Sequence, residues 1–346
     1  MGKVPHIINA IEFNRNLIDA VLDRAAKIKC AFKNNSWITC DPIAQQRMHM
    51  LEGRTMMLLF DQPSLRTYGL FTTAMRALGG NVDGWQNFSR DTSISKGESL
   101  QDTGRVISHY PGVSVLVIRH PDDRAAVSLA RYSSVPVINA GSKLEHPTQA
   151  LKDLFTIREE LRKIDNLHVV VTGDLTGRAV RSFLCALSYC NSIRVSLISP
   201  PRLRLELPRD VKSFLESRGI QVMENVRSLA NVVKDADVLY VMRPQTENWP
   251  VNSRAKVQDR KEALIHYFDH CGVTHQVVEN LPAHARVLHP LPRTDELPTY
   301  LDEKYGAYVP EPTSQLAFFR QSDNGGPMGI AILEMLHSGE WAELLK

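Results

Sequence analysis

Hydroxyl and guanidinium side chains follow an apolar segment in the stretch 60–67, where a Pro turn precedes Ser64, Leu65, Arg66 and Thr67. The apolar segment is typical of a buried strand, and the pattern that follows predicts a helix over 65–78. A helix N-terminus carries unpaired N–H groups and partial positive charge, so the stretch predicts an anion site built from main chain and side chains. The alternative is that Ser64 only caps the helix and that Arg66 is solvated.

Four other polar motifs each follow a segment that is predicted to be a strand. They are Arg119-His120-Pro121, the stretch 173–178, Arg243-Pro244-Gln245 and His289-Pro290-Leu291-Pro292-Arg293. A single arginine after a strand is more often a surface charge, but their joint occurrence indicates a site at the carboxyl ends of the strands. The motifs offer arginines and neither a carboxylate cluster nor a pair of metal ligands. The expected substrates are therefore anions, and the expected catalysis is electrostatic.

The composition favours small-molecule partners. The difference between 41 Lys+Arg and 38 Asp+Glu residues gives a net charge of +3, which is too small and too dispersed to indicate nucleic-acid binding. Hydrophobic residues make up 43%, and no apolar run approaches the roughly 20 residues of a membrane span, which predicts a soluble globular protein. The five cysteines (Cys30, Cys40, Cys185, Cys190 and Cys271) match no zinc or redox spacing. Without a signal-peptide pattern, a cytoplasmic location is expected.

The elements that must position these motifs alternate between short apolar segments and longer amphipathic ones, as in βα units. After a helix at about 11–32, the sequence predicts strands near 56–60 and 113–118, and a second set near 166–171, 193–198, 220–223, 238–242 and 287–288. The expected fold is therefore α/β, with two lobes that are each a parallel sheet flanked by helices and that are joined by interdomain helices.

The length of 346 residues is comfortable for two domains. An amphipathic helix predicted at 150–161 would link the lobes, and a final helix at about 328–345 could pack on either of them. The expected domains are residues 1–149, to which a C-terminal helix at about 326–346 returns, and residues 150–325.

In this combination and order the motifs resemble those of the aspartate and ornithine carbamoyltransferase family. The resemblance rests on Ser64-Leu65-Arg66-Thr67, Arg119-His120-Pro121 and His146-Pro147-Thr148-Gln149. Within the family, the motifs at 243–245 and 289–292 are similar to those of the aspartate branch. The stretch 91–99 is similar to a mobile loop whose lysine, here Lys96, reaches into the site of a neighbouring subunit. The resemblance covers nearly the whole chain.

The resemblance implies attack by the neutral α-amine of L-aspartate on carbamoyl phosphate, through a tetrahedral oxyanion, in pyrimidine biosynthesis. It implies that Ser64, Leu65, Arg66, Thr67 and Arg119 bind the phosphate. It also implies that Arg119, Thr67 and His146 polarise the carbonyl oxygen. It implies that Gln149 and the backbone carbonyls of Pro290 and Leu291 accept hydrogen bonds from the carbamoyl NH2 group. It implies that Lys96 is a cation shared by the phosphate and one aspartate carboxylate, and that Arg178, Arg243 and Gln245 hold the two carboxylates of aspartate. The residues expected to be catalytic are Arg66, Thr67, Lys96, Arg119, His146 and Gln149.

The resemblance also implies how the chain is organised. Residues 1–149 would bind carbamoyl phosphate and residues 150–325 would bind aspartate. A homotrimer is expected, in which the loop with Ser93 and Lys96 is shared across subunits, and regulatory or other enzyme subunits could join it. No metal or organic cofactor is implied, and no nucleic acid or membrane is expected as a partner.

Four features differ from the pattern of the family, one of which is Gly329 at a position where an arginine is common. Leu65 replaces a hydroxyl residue, and the stretch 173–178 is one residue shorter than usual and lacks a lysine. Thr246, Glu247 and Asn248 stand where bacterial aspartate enzymes often carry an arginine. Two alternatives therefore stay open, a carbamoyltransferase with a different amine acceptor and a catalytically silent paralogue that serves as an assembly subunit.

Overall fold

The computed structural model describes residues 4–33, 46–224, 228–247, 249 and 257–346. The chain divides into two compact units, unit 1 with Met1–Phe155 and Asn324–Lys346 and unit 2 with Thr156–Asp323. Each unit has its own parallel sheet, which confirms the predicted α/β class. The predicted substrate domains, divided after residue 149 and again near 326, stay a proposal.

The sheet of unit 1 has four parallel strands in the order β2-β1-β3-β4. The strands are Thr55–Phe60 (β1), Asn81–Gln86 (β2), Val113–Arg119 (β3) and Val137–Asn139 (β4). The predictions of β1 and β3 are confirmed, because both are buried apolar runs. The sequence pattern does not predict the two edge strands, because β2 is largely exposed and polar and β4 has only three residues.

The sheet of unit 2 has five parallel strands in the order β7-β6-β5-β8-β9. They are His168–Thr172 (β5), Arg194–Ile198 (β6), Gln221–Met223 (β7), Val238–Val241 (β8) and Arg286–Leu288 (β9). All five lie where the apolar segments predict them.

The longer helices of unit 1 begin after an N-terminal 3-10 turn, Ala10–Glu12. They are Arg15–Lys33, Leu65–Ala77, Leu100–Ile107, Ala125–Ala130, Pro147–Leu161, Gly325–Ser338 and Glu340–Leu344. The prediction of one final helix at about 328–345 is wrong, because Gly339 adopts a φ of +86° and divides it into two helices. The helix predicted at 11–32 starts later, at Arg15.

The helices of unit 2 flank the second sheet. They are Arg178–Leu187, Arg209–Ser217, Leu229–Val232, Val257–Cys271, His275–Asn280 and Phe318–Asp323. The chain passes from unit 1 to unit 2 within the helix Pro147–Leu161 and returns between Asp323 and Asn324. The predicted connection through helices is therefore confirmed.

Each unit buries a separate apolar core. One face of β1 contributes Met57 and Leu59, which pack with Phe88 and with apolar side chains of β3. In unit 2, Tyr267 and Phe318 belong to a larger cluster around β5 and β8. The four described cysteines are not joined in disulfides, whereas Cys40 lies outside the described residues. Within the described ranges, no helix is long and apolar enough to cross a membrane.

Candidate active site

Polar residues follow all four strands of the unit 1 sheet. They lie at the edge of the sheet that the carboxyl ends of the strands form. Because the strands are parallel neighbours, their carboxyl ends lie at the same edge. The chain leads from this edge to Lys96 after β2, to 64–67 after β1 and to His146 after β4, while Arg119 is the last residue of β3. The structure thus brings the predicted carbamoyl-phosphate residues of unit 1 to one edge of one sheet.

Ser64 forms the N-cap of the helix Leu65–Ala77 with extended backbone, and its Oγ accepts from the N–H of Thr67 at 3.4 Å. Capping leaves the Ser64 O–H and the other N–H groups of the first turn available for an anion. Neighbouring protein atoms exclude enough water from Arg66 to lower the pKa of its guanidinium, although the side chain keeps access to solvent. Leu65 is 92% exposed and its side chain has no hydrogen-bond donor, so only its backbone N–H can serve a phosphate here.

Arg119 and His146 both approach Gly141 closely. A Cβ atom on Gly141 would lie 2.7 Å from Nη1 of Arg119 and 3.2 Å from Cδ2 of His146. Both side chains are 8% exposed, and Arg119 Nη1 also donates to the carbonyl oxygen of Ala140 at 2.9 Å. Two of the three donors predicted for the carbonyl oxygen are therefore buried neighbours whose approach depends on a residue without a side chain.

Gln149 lies in the first turn of the helix that His146 precedes, and its Nε2 donates to Asp153 Oδ1 at 2.7 Å. This contact occupies the amide nitrogen and leaves Oε1 as an acceptor, as the role predicted for Gln149 requires. Lys152 lies three residues further along and is not among the site residues that the sequence predicts. Burial lowers the pKa of its ammonium group and the charge of Arg66 lowers it further, against the effect of Asp153. Its position at i+3 from Gln149 is the signal that could have found it.

The segment with Ser93 and Lys96 is a short 3-10 helix, Ser93–Lys96, whose two named side chains are exposed. The Thr92 Oγ1 donates to the carbonyl oxygen of Phe88 at 2.6 Å, and Gly97 ends the helix with a φ of +99°. The loop is thus shaped by its own turns while its lysine stays exposed.

Asp61 links the start of this loop to the strand ends, and sequence reasoning missed it. Its Oδ1 accepts from the N–H of Ser89 at 2.8 Å, and its Oδ2 accepts from the Ser89 hydroxyl and from His120 Nε2 at 3.2 Å. The Nδ1 of His120 accepts from the N–H of Asp122, so the proton lies on Nε2. His120 therefore acts as a link between two loops of the edge.

In unit 2, the buried Asp174 ties together the two loops that carry Arg178 and Gln245. Its Oδ1 accepts from the Thr176 hydroxyl at 2.6 Å. Its Oδ2 accepts from the N–H of Gln245 at 3.3 Å and from Trp249 Nε1 at 3.2 Å. Sequence reasoning gave no role to Asp174, although it lies only two residues after the end of β5.

Gly177 permits the close approach of these loops, because a Cβ atom on it would lie 2.2 Å from Gln245 Nε2. The guanidinium of Arg243 is paired with the Glu247 carboxylate, with Nη1 3.2 Å from Oε2. Burial raises the pKa of Glu247, but the hydrogen bond with Arg243 and the nearby charge of Arg178 bring it below its usual value. Both predicted arginines thus lie near one carboxylate, while Asn248 lies outside the described residues.

Pro290 and Leu291 follow β9, at the edge of the unit 2 sheet that also carries the loops after β5 and β8. Leu291 has a φ of +55°, which is uncommon for a residue with a branched side chain. The predicted aspartate residues of unit 2 and these two carbonyls therefore share one sheet edge, as the carbamoyl-phosphate residues do in unit 1.

Models of two protein domains match the chain. The model of the aspartate/ornithine carbamoyltransferase carbamoyl-P binding domain matches residues 5–159. The model of the aspartate/ornithine carbamoyltransferase Asp/Orn binding domain matches residues 165–336.

Individual proteins are similar over nearly the full length. The aspartate carbamoyltransferase catalytic subunit of Methanothrix thermoacetophila is 36% identical over 339 residues, which cover 97% of this chain and 99% of that protein. The crystallised catalytic subunit of Methanocaldococcus jannaschii aspartate transcarbamoylase is 34% identical, with a TM-score of 0.79 and coverage of 96% and 98%. The Trypanosoma cruzi enzyme in complex with N-(phosphonacetyl)-L-aspartic acid is 32% identical, with a TM-score of 0.79 and coverage of 96% and 95%.

Proposed function

This chain belongs to the aspartate/ornithine carbamoyltransferase family, and we propose that it transfers the carbamoyl group of carbamoyl phosphate to L-aspartate. The products are N-carbamoyl-L-aspartate and phosphate, in pyrimidine biosynthesis. The observation that carries the proposal is the meeting of four motifs at one edge of the unit 1 sheet, with Arg119 and His146 both close to Gly141. The acceptor is L-aspartate because the chain is similar, over nearly its full length, to proteins named aspartate carbamoyltransferase and aspartate transcarbamoylase.

The phosphate group is held at the N-terminus of the helix Leu65–Ala77. Ser64, Arg66 and Thr67 donate to it from side chains, Leu65 donates from its backbone, and Arg119 adds a second guanidinium. Two cations and a helix dipole stabilise the charge that grows on the departing phosphate.

The carbonyl oxygen is polarised by Arg119, Thr67 and His146, which stabilise the oxyanion more than the neutral carbonyl. Gln149 Oε1 and the carbonyl oxygens of Pro290 and Leu291 accept from the NH2 group. A C–N bond forms as the amine attacks, the C–O bond to phosphate breaks, and an oxygen of the leaving phosphate takes up the proton that the amine loses.

The two carboxylates of L-aspartate pair with Lys96, Arg178, Arg243 and Gln245. The support for this assignment is that Arg243 pairs with the Glu247 carboxylate, whose pKa the nearby charge of Arg178 also lowers. A substrate carboxylate would compete with Glu247 for Arg243.

A product assay with carbamoyl phosphate and L-aspartate tests the proposal. The variant Arg66→Ala is expected to lose about 1,000-fold in kcat/KM, because a cation on the leaving group is removed. Arg76→Ala is the matched control, since Arg76 is an exposed arginine of the same helix. Absence of product from the unmodified chain at saturating substrates refutes the proposal, and a panel of other amines tests the acceptor.

The proposed assembly is a cytoplasmic homotrimer in which Ser93 and Lys96 serve the site of a neighbouring subunit. Its support is the exposure of Lys96, and buried free thiols such as Cys271 fit a reducing compartment. Mixing the inactive variants Lys96→Ala and Arg66→Ala should restore part of the activity, because some mixed trimers contain a site without either change. No restoration after verified subunit exchange contradicts the shared site.

A further inference from the structure

Behind Pro290 and Leu291, unit 2 holds a chain of buried hydrogen bonds that leads away from the turn. The N–H of Leu291 donates to His289 Nδ1 at 2.8 Å, and His289 Nε2 lies 2.9 Å from Glu296 Oε1. Glu296 also accepts from the N–H of Thr294 at 2.8 Å and from the Thr294 hydroxyl. His289 is 1% exposed and Glu296 is 0% exposed.

These contacts fix the tautomer of His289. Since Nδ1 accepts from a backbone N–H, it carries no proton, so Nε2 carries the proton and donates it to Glu296. Burial lowers the pKa of His289, against the raising effect of Glu296, and the charges of Arg293 and Arg243 lower it further. The ring is therefore a neutral bridge with one end on the turn and one end on a carboxylate.

The same contacts fix the direction of the Pro290 carbonyl. The Pro290 C=O and the Leu291 N–H belong to one planar peptide unit and point in opposite directions. When His289 holds the N–H, the Pro290 oxygen must point away from the imidazole. Leu291 adopts a φ of +55°, a conformation of higher energy for a non-glycine residue, so the turn depends on such contacts to persist.

We propose that His289, anchored by Glu296, is a positioning residue that aims the Pro290 carbonyl at the NH2 group of the acyl donor. The inference rests on the proposed function. It adds that selection of an acyl phosphate with an NH2 group over one without it, such as acetyl phosphate, depends on a side chain that does not contact the substrate. A merely structural role of His289 would affect both acyl phosphates equally.

Two variants of His289 separate its two ends. His289→Gln keeps a donor near the position of Nε2 and loses the acceptor for Leu291, whereas His289→Asn keeps an acceptor near Nδ1 and loses the contact with Glu296. For each enzyme, two quantities are measured, kcat/KM for carbamoyl phosphate and the inhibition constant of acetyl phosphate as a competitor. This second constant is defined whether or not acetyl phosphate reacts.

His289→Gln is expected to lower kcat/KM for carbamoyl phosphate about 10-fold to 100-fold and to change the acetyl phosphate constant less than about threefold. His289→Asn is expected to lie between this variant and the unmodified chain. If His289→Gln does not fold, Glu296→Leu removes the anchor instead and should shift the ratio in the same direction.

Parallel losses for both acyl phosphates overturn the inference, and so does an equal ratio in the Gln and Asn variants. A failure of the proposed function is distinguishable, because the unmodified chain would then form no product from carbamoyl phosphate.

Discussion

The two sheet edges hold their polar residues by different means. In unit 1, Ser64 caps a helix, Arg119 ends a strand and His146 precedes a helix, so backbone elements aim these side chains. In unit 2, the loops after the strands are held by the buried carboxylates Asp174 and Glu296. The motifs of unit 1 therefore contain much of their own support, whereas those of unit 2 depend on side chains elsewhere in the unit.

Among the variants that compare the two edges, Gly141→Ala is expected to have the largest effect, because it acts on the edge that backbone elements build. A Cβ atom would lie 2.7 Å from Arg119 Nη1, at a φ of +120° that alanine rarely adopts. We expect a loss of about 100-fold or more in kcat/KM for carbamoyl phosphate, since displacement of a positioned donor by about 1 Å has effects of this order. Steady-state kinetics with varied carbamoyl phosphate measure it.

Gly53→Ala is the matched control for backbone strain. Gly53 also has a positive φ, +73°, but a Cβ atom on it would meet nothing within 4 Å. The control should lose stability and keep its kinetics. Equal kinetic losses in the two variants would show that strain, and not the contact with Arg119, determines the effect.

Asp174→Asn tests whether the unit 2 edge depends on a carboxylate. The amide can replace one acceptor oxygen, but its NH2 group cannot accept from Gln245 N–H and Trp249 Nε1. Two donors then lose their partner, and we expect the KM for L-aspartate to rise about 10-fold to 100-fold. The affinity for carbamoyl phosphate, measured by calorimetry, should change little.

The control for this variant is Asp210→Asn, which breaks an exposed ion pair between Asp210 and Arg181 in the same unit. Surface pairs of this kind have little effect, so the kinetics should remain unchanged. A loss of carbamoyl phosphate binding as large as the loss of aspartate binding would argue that Asp174 supports the whole fold.

The difference between the edges also explains which parts of the fold and of the site could be predicted from the sequence alone. The buried strands and the phosphate cradle could be predicted because an apolar run, a cap and a helix are local signals. The tie between Asp174 and Trp249 spans 75 positions, and nothing local in the sequence marks it. The edge strand β2 was not predicted for a related reason. An exposed polar strand forms because it pairs with its neighbour, here β1, and not because of its own apolar pattern.

Gly177→Ala is expected to have a smaller and more selective effect. Gly177 has an ordinary φ of −69°, so alanine fits the backbone, but its Cβ would lie 2.2 Å from Gln245 Nε2. The end of a flexible side chain can move aside, so we expect the KM for L-aspartate to rise about 3-fold to 10-fold with stability unchanged within about 1 kcal/mol. Gly69→Ala, which meets nothing within 4 Å, should leave the kinetics unaltered.

The smallest expected effect is on stability in acid, and it extends the comparison beyond the two edges. Asp237 of unit 2 accepts from the N–H of His168 at 2.8 Å, from Lys163 Nζ at 3.1 Å and from His284 Nε2 at 3.1 Å. Burial raises the pKa of Asp237, but these hydrogen bonds and the charge of Lys163 bring it below its ordinary value. Its contribution to stability is therefore present above the unfolded pKa of about 3.9 and is lost as the pH falls through the lower folded pKa.

Asp237→Asn should reduce the free energy of unfolding by about 1 kcal/mol at pH 7, and this difference from the unmodified chain should shrink as the pH falls below about 4. Urea unfolding at each pH measures it, with the exposed Asp269→Asn as a control that changes the value at pH 7 by less than about 0.5 kcal/mol. A difference that stays constant or grows on acidification would mean that Asp237 does not stabilise unit 2 through its charge. In unit 1, the carboxyls with a lowered pKa include Asp91 and Asp122, which lie at the surface. Protonation of Asp237 should therefore destabilise unit 2, whereas protonation of these surface carboxyls should have less effect on unit 1.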